Sequence, residues 1–250
     1  MNHPLFPKFF GKIENGDLYA IEFINGQPLI NIEKLHLNEE EKITIIFELM
    51  LIIEYLHRNH FIFRDLKPNN IMIDENNVAV LIDFDRMISE EEYEKEKEVT
   101  KEFPIIYSAP ESNYGIFSDK SDIFSLGQVI YFIMNEEDPR NDNIKSSEKI
   151  SEVYRKCTKL NANERPTIIE LIRYFYITFH NQIEFDIFYF NDENFSNDLL
   201  LTMKRIENEI VSPSEIFLIG YHYYIGENND IEKAIHYFQI ASDRNNSDAQ

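Results

Sequence analysis

Apolar and polar positions alternate at the start of the chain and then change to a helical spacing. Residues 4–24 predict two strands around an Asn-Gly turn at residues 15–16, which is a strong hairpin signal between apolar stretches. Residues 38–58 carry apolar side chains at helical intervals, and Asn38 with Glu41 three positions later forms a capping-box pattern. The pattern therefore predicts a hairpin followed by a long buried helix.

The middle of the chain predicts a second hairpin and then three helices. A polar loop at residues 63–70, FRDLKPNN, precedes the strand-like stretches IMID and VAVLID, which are separated by the turn ENN. Residues 87–102 carry a dense run of charges that indicates a solvated loop, with a phosphorylation-controlled segment as the alternative. Apolar residues at helical spacing then predict helices at 120–134, 150–160 and 167–179, the last with Pro166 at its front.

The C-terminal part divides into a connector and a helical unit. Residues 181–212 are rich in Phe, Asn and Asp and are interpreted as a partly helical connector. Residues 213–250 predict two short helices, and Gly226 ends the first of them. Residues 1–180 are therefore expected to form the main domain.

The composition indicates a globular protein with a large acidic excess. Of the 250 residues, 43% are hydrophobic, and 20 Phe and 14 Tyr supply more aromatic surface than a disordered segment has. The 45 acidic and 24 basic residues give a formal net charge of -21. This excess disfavours nucleic acid and anionic membranes as partners, because both carry negative charge.

Cysteine usage and hydropathy predict a cytoplasmic protein. The single cysteine, Cys157, excludes an intrachain disulfide and a thiolate-clustered metal site, and we interpret it as a buried apolar thiol. The N-terminus lacks the basic and apolar regions of a signal peptide. The most apolar run is interrupted by Glu48 and Glu54 and is shorter than a bilayer requires, so no membrane span is expected.

Five motifs occur in the order and spacing that protein kinases use. FRDLKPNN at residues 63–70 resembles the catalytic loop H-R-D-L-K-x-x-N, and DFD at residues 83–85 resembles D-F-G. APE at residues 109–111 resembles the A-P-E motif, SDIFSLG at residues 121–127 is similar to D-x-W-S-x-G, and Arg165 occupies the place of the arginine that pairs with the A-P-E glutamate. The resemblance implies an α+β, protein-kinase-like fold: a mostly helical C-lobe with a remnant N-lobe β-hairpin and hinge.

The resemblance also implies roles for four polar side chains and two cofactors, ATP and Mg2+. Asp65 would orient or deprotonate the substrate hydroxyl, and Lys67 would offset charge on the transferred phosphate and favours the serine/threonine branch. Asn70 and Asp83 would bind Mg2+, one from each side of the predicted hairpin. Phosphoryl transfer needs a carboxylate beside the attacking hydroxyl and oxygen ligands for the metal, which explains this spacing.

The resemblance extends upstream to an adenine site. LYAIEFING is similar to the fifth strand and hinge of a kinase, which makes Ile21 the gatekeeper residue. Backbone groups of Glu22 and Ile24 would then contact adenine, and Met72 would lie beneath the ring. Three further residues are expected to support the site without chemistry, namely the ion pair of Glu111 and Arg165 and the carboxylate of Asp122, which would hold the catalytic-loop backbone.

Three substitutions depart from the kinase motifs. Phe63 replaces the histidine of H-R-D and can pack against Phe84. Asp85 replaces the glycine of D-F-G, which would cost about 1 to 3 kcal/mol if a positive φ is needed there, and adds a negative charge near the metal. Pro104 stands where serine/threonine kinases usually have a threonine that contacts the catalytic aspartate.

The elements with which kinases position ATP are expected to be missing from residues 1–180. The glycine-rich loop, the lysine of the third strand and the glutamate of the first helix all precede the family position at which this chain begins, and no G-x-G-x-x-G occurs. The first hypothesis is an ATP-dependent serine/threonine protein kinase, of which this polypeptide alone has little turnover. The second is a pseudokinase or binding module without catalysis.

Residues 213–250 resemble one Sel-one-like repeat of the tetratricopeptide type. IGYHYYIG is followed by DIEKAIHYFQIASDRNNSDAQ, and its final Ala-Gln is similar to the start of another repeat. Stacked repeats present a concave surface to proteins, so substrate or scaffold proteins are the expected partners. The alternative is an ordinary amphipathic helix pair packed on the preceding domain.

Overall fold

The computed structural model describes most of the main domain and isolated positions near the C-terminus. The described residues are 5–12, 19–96, 106–141, 144–179, 182–183, 235, 237–239 and 242. The strands are β1 Phe9–Lys12, β2 Tyr19–Ile21, β3 Gly26–Pro28, β4 Phe61–Ile62, β5 Ile71–Asp74, β6 Ala79–Leu81 and β7 Ile88–Ser89. The α-helices are α1 Glu39–Arg58, α2 Glu90–Glu96, α3 Asp119–Asn135, α4 Glu148–Cys157 and α5 Ile168–Phe179. Short 3-10 helices cover Leu29–Lys34, Pro68–Asn70, Pro110–Tyr114, Pro139–Asn141 and Ala162–Glu164.

The four long helices match the sequence predictions closely. The Asn38 side chain accepts from the amide of Glu41 and the Glu41 carboxylate accepts from the amide of Asn38, so the predicted capping box is present. Apolar side chains along α1 are buried, and α1 packs on both α3 and α5, while α3 packs on α4. The core of the described domain therefore lies between helices, with the functional loops attached to one end of α1 and α3.

A three-stranded antiparallel sheet has the strand order β3-β5-β6. The β5–β6 hairpin agrees with the prediction, whereas β3 was not predicted because glycine and proline are uncommon in strands. A side chain at Gly26 would place its Cβ 2.1 Å from the carbonyl oxygen of Ile73. The glycine thus permits the close backbone approach that pairs the hinge with β5.

The N-terminal strands β1 and β2 pair antiparallel, as predicted, with an irregular register between Phe9 and Gly11. The predicted turn at residues 15–16 lies outside the described residues. Phe9, Phe10 and Phe23 are more than half exposed on or beside this hairpin. The hairpin therefore presents an apolar surface to its surroundings.

The charged run after the DFD motif is more ordered than the predicted solvated loop. Residues 88–89 form β7, which pairs antiparallel with β4, and α2 follows directly. The acidic side chains of the first turn of α2 are exposed, as expected for a solvated face, but Tyr93 is half-buried against Phe117. The prediction of an irregular loop is thus wrong for residues 88–96, because an aromatic anchor and the β4 pairing hold the charged segment.

The described C-terminal positions are helical, and one of them belongs to the main core. Ile235 and Gln239 are exposed, whereas Tyr237 is buried together with the core residues of the main domain. The remaining residues of the proposed connector and repeat lie outside the described residues, so the repeat stays a prediction. Among the helices that the structure describes, none combines the length and the apolar character needed to cross a bilayer.

Gly127 sets the contact between α3 and α4. A Cβ at this position would lie 2.5 Å from Cys157 Cβ and 2.9 Å from Thr158 Cγ2. We expect Gly127→Ala to lower the free energy of unfolding by about 1 to 3 kcal/mol, since the helices would have to separate. Urea unfolding monitored by far-UV circular dichroism measures the change.

A double variant provides the control, because it adds a methyl group to α3 and removes the facing cysteine side chain from the end of α4. Cys157 is fully buried, and burial raises the pKa of its thiol to about 12, so it remains a neutral apolar side chain as predicted. The double variant Gly127→Ala with Cys157→Gly should lose less stability than the two single variants together, because the closer of the two overlaps is removed. Additive losses would contradict this account of the helix contact.

Candidate active site

The predicted catalytic residues gather around the carboxylate of Asp65. This residue follows β4 in the loop that leads to the 3-10 helix Pro68–Asn70, and it is 5% exposed. Its Oδ2 atom accepts hydrogen bonds from Lys67 Nζ at 2.8 Å and from Asn70 Nδ2 at 3.1 Å. Its Oδ1 atom is buried and has no hydrogen-bond partner among the described residues. The described residues therefore hold one carboxylate oxygen with two donors and offer none to the other.

Asn70 and Asp83 are neighbours because the β5–β6 hairpin returns the chain to its starting point. The carbonyl oxygen of Asn70 accepts a hydrogen bond from the amide of Ile82 at 2.9 Å, and Asp83 is the next residue. The Asn70 Nδ2 atom also donates to the carbonyl oxygen of Asp65 at 2.9 Å. Since both of these bonds to Asp65 use Nδ2, the amide oxygen of Asn70 is the atom left to bind a cation.

These two residues fit a magnesium ion that is bound together with phosphates. Magnesium prefers oxygen ligands and usually takes only one or two from the protein, the others coming from substrate and water. Asp83 is exposed and follows Ile82, whose amide donates to the carbonyl oxygen of Asn70, so the two residues could provide such a pair. No cluster of three or more His, Cys, Asp or Glu that could hold a metal ion occurs among the described residues.

Two residues of the site adopt a left-handed backbone conformation. Arg64 has φ 69° and Asp83 has φ 63°, and aspartate tolerates this region better than most residues. Asp85 is not among the described residues with positive φ, so the strain considered for this substitution does not arise. Its exposed carboxylate remains an additional negative charge next to Asp83. Pro104, the third departure, lies outside the described residues.

The backbone of the catalytic loop is held by Asp122, as predicted. Asp122 is fully buried near the start of α3, and its carboxylate accepts from the amides of Phe63 at 2.8 Å and Arg64 at 2.9 Å. The same carboxylate also bonds His57 Nε2 at 2.9 Å, a contact that the sequence did not predict because His57 lies in a different helix, 65 positions away. Phe63 packs edge-on against Phe84 with 5.9 Å between ring centroids, which confirms the predicted packing.

The contacts that two arginines make around Asp65 were not predicted. Arg86 Nε lies 3.8 Å from Asp65 Oδ2, and the backbone oxygen of Arg86 accepts a hydrogen bond from Arg64 Nε. The guanidinium of Arg64 also lies over the ring of Phe117, 5.5 Å from its centroid. The sequence gives no signal for Arg86, because its position depends on how the chain turns after the DFD motif.

The four residues of the predicted adenine site occupy the hinge and β5. Ile24 and Met72 are partly buried against the main core, whereas Ile21 at the end of β2 is 61% exposed. The amide of Glu22 donates to the carbonyl oxygen of Lys8 at 2.8 Å, so this amide is already used within the hairpin. The structure thus places these four residues on two adjoining segments, and the adenine site stays a prediction.

The predicted ion pair of Glu111 and Arg165 is present. Arg165 donates to both carboxylate oxygens of Glu111, at 2.6 Å and 2.8 Å, and its own side chain is fully buried. Burial alone would raise the pKa of Glu111, but the hydrogen bonds and charge of Arg165 outweigh it and hold this pKa below the ordinary value of about 4.5. The carboxylate therefore stays ionised at neutral pH and fixes the end of the APE motif.

The fold and site together define the class of the protein. A helical lobe presents a buried carboxylate with a lysine partner, and beside it an amide and a carboxylate joined by a hairpin, which is the arrangement used for phosphoryl transfer in a protein-kinase-like α+β fold. The family model for the protein kinase domain matches residues 2–177. The chain belongs to the protein kinase family.

Several curated kinases are similar to parts of the chain. Serine/threonine-protein kinase OXI1 of Arabidopsis thaliana is 40% identical over 90 residues, covering 34% of this chain and 21% of that protein. Serine/threonine-protein kinase Nek10 of Mus musculus is 28% identical over 201 residues, covering 68% of this chain and 18% of that protein. Tyrosine-protein kinase Src64B of Drosophila melanogaster is 32% identical over 164 residues, covering 56% of this chain and 29% of that protein. The aligned part is thus about a fifth of the length of the first two relatives.

Proposed function

We propose that the chain forms the acceptor-binding and metal-binding part of a serine/threonine protein kinase that uses ATP and Mg2+. The observation that supports this most directly is the unpaired, buried Oδ1 atom of Asp65 beside a lysine-bound Oδ2 atom. A buried carboxylate oxygen without a partner is costly, and it is retained where a substrate group completes its hydrogen bonding. A serine or threonine hydroxyl has the donor that this atom lacks.

The chain's own residues divide the work of phosphoryl transfer. The Oδ1 atom of Asp65 accepts the hydrogen bond of the acceptor hydroxyl and orients its oxygen. The ammonium of Lys67 donates to Asp65 Oδ2 at 2.8 Å, which fixes the orientation of this carboxylate, and it offsets charge on the incoming phosphate. Bound Mg-ATP supplies the phosphoryl group and neutralises its developing charge, and Asn70 and Asp83 are the residues that would hold the metal.

This polypeptide alone is proposed to have weak turnover or none. The described residues would provide the acceptor and metal side of the site, but they include no glycine-rich loop and no counterpart of the third-strand lysine with which kinases bind the phosphates. Because phosphoryl transfer relies almost wholly on positioning and electrostatic stabilisation, losing these groups should lower the rate by several powers of ten. Nucleotide binding would then be weak but still dependent on the metal.

Thermal melting with and without Mg2+ tests whether the remaining site binds nucleotide. We expect millimolar ATP to raise the melting temperature of the wild-type chain by a few degrees when Mg2+ is present, and less when it is absent. Asp83→Asn should abolish the difference, because the amide cannot replace an anionic ligand. Asp85→Asn is the matched control, since it removes an exposed carboxylate two positions away and should keep the magnesium-dependent shift.

Two outcomes would change the proposal. The magnesium-dependent rise in melting temperature could be equal in the wild type, Asp83→Asn and Asp85→Asn, or absent from all three. Either result would contradict nucleotide binding at Asp83 and favour a module without catalysis. Phosphorylation of a generic protein substrate by the purified chain, lost on Asp83→Asn, would contradict the proposed inactivity of the isolated polypeptide and support the kinase assignment. Both assays use the whole chain.

The alternative is a pseudokinase or scaffold that binds other proteins without chemistry. The exposed aromatic side chains of the N-terminal hairpin favour it, since Phe23 is 86% exposed and Phe10 is 66% exposed. Such surfaces on a folded domain usually contact another protein. In either case we propose a cytoplasmic location and protein partners bound through the repeat at residues 213–250, on the basis of the acidic, cysteine-poor composition and the repeat resemblance. Nucleic acid and membranes are not proposed as partners.

A further inference from the structure

Tyr93 joins the start and the end of the segment that follows the DFD motif. Its hydroxyl donates a hydrogen bond to the carbonyl oxygen of Gly115 at 2.9 Å and accepts one from the amide of Phe117 at 2.9 Å. Its ring also meets the ring of Phe117 edge-on, with 6.2 Å between centroids. A single side chain on α2 therefore bridges positions 22 to 24 residues further along the chain.

The loop that Tyr93 contacts, at residues 115–117, is itself joined to the APE motif. Gly115 has φ 73° and ends the 3-10 helix that begins within the APE motif, so its backbone direction is fixed by a conformation that glycine adopts easily. The amide of the next residue, Ile116, donates to the carbonyl oxygen of Glu111 at 3.2 Å. Tyr93 thus holds a loop that is already anchored by the ion pair between Glu111 and Arg165.

Phe117 carries the connection from Tyr93 to the catalytic loop. It is buried in a small apolar cluster with residues of β4 and β7, and the guanidinium of Arg64 lies over its ring at 5.5 Å. Arg64 directly precedes Asp65, and its Nε atom donates to the carbonyl oxygen of Arg86. The contacts therefore lead from a hydroxyl on α2 to the residue next to the proposed catalytic carboxylate.

We propose that Tyr93 is a positioning residue for Asp65. Its hydroxyl holds the backbone of Phe117, and the ring of Phe117 holds the guanidinium of Arg64. Because Arg64 is the residue before Asp65, holding Arg64 also holds the backbone that carries the Asp65 carboxylate. A tyrosine suits the position because one phenolic oxygen both donates and accepts. The proposal rests on the proposed function only for the chemical role of Asp65, since the contacts themselves do not require turnover.

Hydrogen–deuterium exchange of the full chain, measured on proteolytic peptides, tests this role. Tyr93→Phe keeps the ring and removes both hydrogen bonds, so we expect amides at residues 115–117 to exchange roughly tenfold faster. Amides of the catalytic loop, residues 62–65, should also exchange faster, by a smaller factor. Tyr114→Phe is the matched control, because Tyr114 is a neighbouring tyrosine that is 79% exposed, and it should leave both regions unchanged.

A second variant separates positioning from simple packing. Phe117→Leu keeps an apolar side chain in the cluster but removes the aromatic face beneath Arg64, so it should accelerate exchange at residues 62–65 as Tyr93→Phe does. The double variant should then show no further acceleration there, because both changes act through the same contact. Faster exchange confined to residues 115–117, or equal exchange in Tyr93→Phe and Tyr114→Phe, would overturn the proposal.

Kinetics provide a readout that a purely structural role would not change. In a longer product that phosphorylates a protein substrate, Tyr93→Phe should lower kcat and leave the KM for ATP unchanged, since Tyr93 acts on the acceptor side of the site. An equal change in both constants would overturn the positioning role. Absence of turnover in the wild-type form of that longer product would contradict the proposed function and leave the exchange result valid.

Discussion

Glu111→Ala is expected to lower the free energy of unfolding by about 3 to 5 kcal/mol, because it leaves a buried guanidinium without its counter-charge. The side chain of Arg165 is 0% exposed, and two of its nitrogens donate to the Glu111 carboxylate. The other hydrogen bonds of this guanidinium go to backbone carbonyl oxygens, which accept its protons but do not neutralise its charge. Urea unfolding at pH 7 measures the loss.

A double variant and an exposed pair make this prediction specific. Arg165→Met added to Glu111→Ala should recover part of the lost stability, because an apolar side chain in the same place carries no unpaired charge. Glu148→Ala is the control, since Glu148 pairs with Arg155 on the surface and its loss should change stability little. A Glu111→Ala loss no larger than that of Glu148→Ala would contradict the assigned role of the ion pair.

The same pair predicts the direction of a pH dependence. The pKa of Glu111 is lower in the folded protein than its ordinary value of about 4.5, so its contribution is fully present above that value and is lost as the pH falls through the folded pKa. The stability difference between the wild type and Glu111→Ala should therefore be constant at neutral pH and should shrink in acid. A difference that grew on acidification would have the wrong sign.

The sequence predicted those features that depend on local patterns or on linear motifs. The α1 helix was predictable because the capping box at Asn38 and Glu41 and the apolar spacing are local signals. The pairing of Glu111 with Arg165 and the contacts of Asp122 came from the family resemblance, and the structure shows both. In each case the residue type and its position in the chain carry the information.

The features that were missed depend on how distant segments meet. The strand at residues 26–28 has a composition that disfavours strands, and it forms because glycine allows its backbone to approach β5. Tyr93 lies in a run of acidic residues that indicates a solvated loop, and only its contact with Phe117 shows that the run is anchored. Arg86 reaches Asp65 through the turn after the DFD motif. No periodic pattern encodes such contacts.

The site shows the same division. The grouping of Asp65, Lys67 and Asn70 follows from their short spacing in one loop, whereas the approach of Asp83 requires the β5–β6 hairpin to close with the observed register. Asp83 has a positive φ and Asp85 does not, and the residue types alone could not distinguish these two aspartates. The substitution in the D-F-G motif is therefore an electrostatic change and not a conformational one.

Asp122→Ala is expected to lower the free energy of unfolding by about 3 to 5 kcal/mol and to release the catalytic loop. The carboxylate of Asp122 is fully buried and accepts from two backbone amides, those of Phe63 and Arg64, so its removal leaves two buried donors unpaired at about 1 to 3 kcal/mol each. Arg64 also adopts a left-handed conformation, which needs such support. Urea unfolding measures the global effect, and hydrogen exchange at residues 62–65 measures the local one.

The neighbouring acid Asp119 provides the control for this prediction. It lies in the same first turn of α3, but its carboxylate accepts only from the adjacent amide of Lys120, so Asp119→Ala should cost about 0.5 kcal/mol through the helix dipole alone. Asp122→Asn should fall between the two alanine variants, since its amide oxygen can accept from one backbone donor while its NH2 group opposes the other. Equal losses for Asp119→Ala and Asp122→Ala, with unchanged exchange at residues 62–65, would show that the catalytic loop keeps its backbone conformation without the buried carboxylate. The left-handed conformation of Arg64 would then have to be maintained by its contacts with Arg86 and Phe117, and the same exchange experiment on Phe117→Leu distinguishes the two cases.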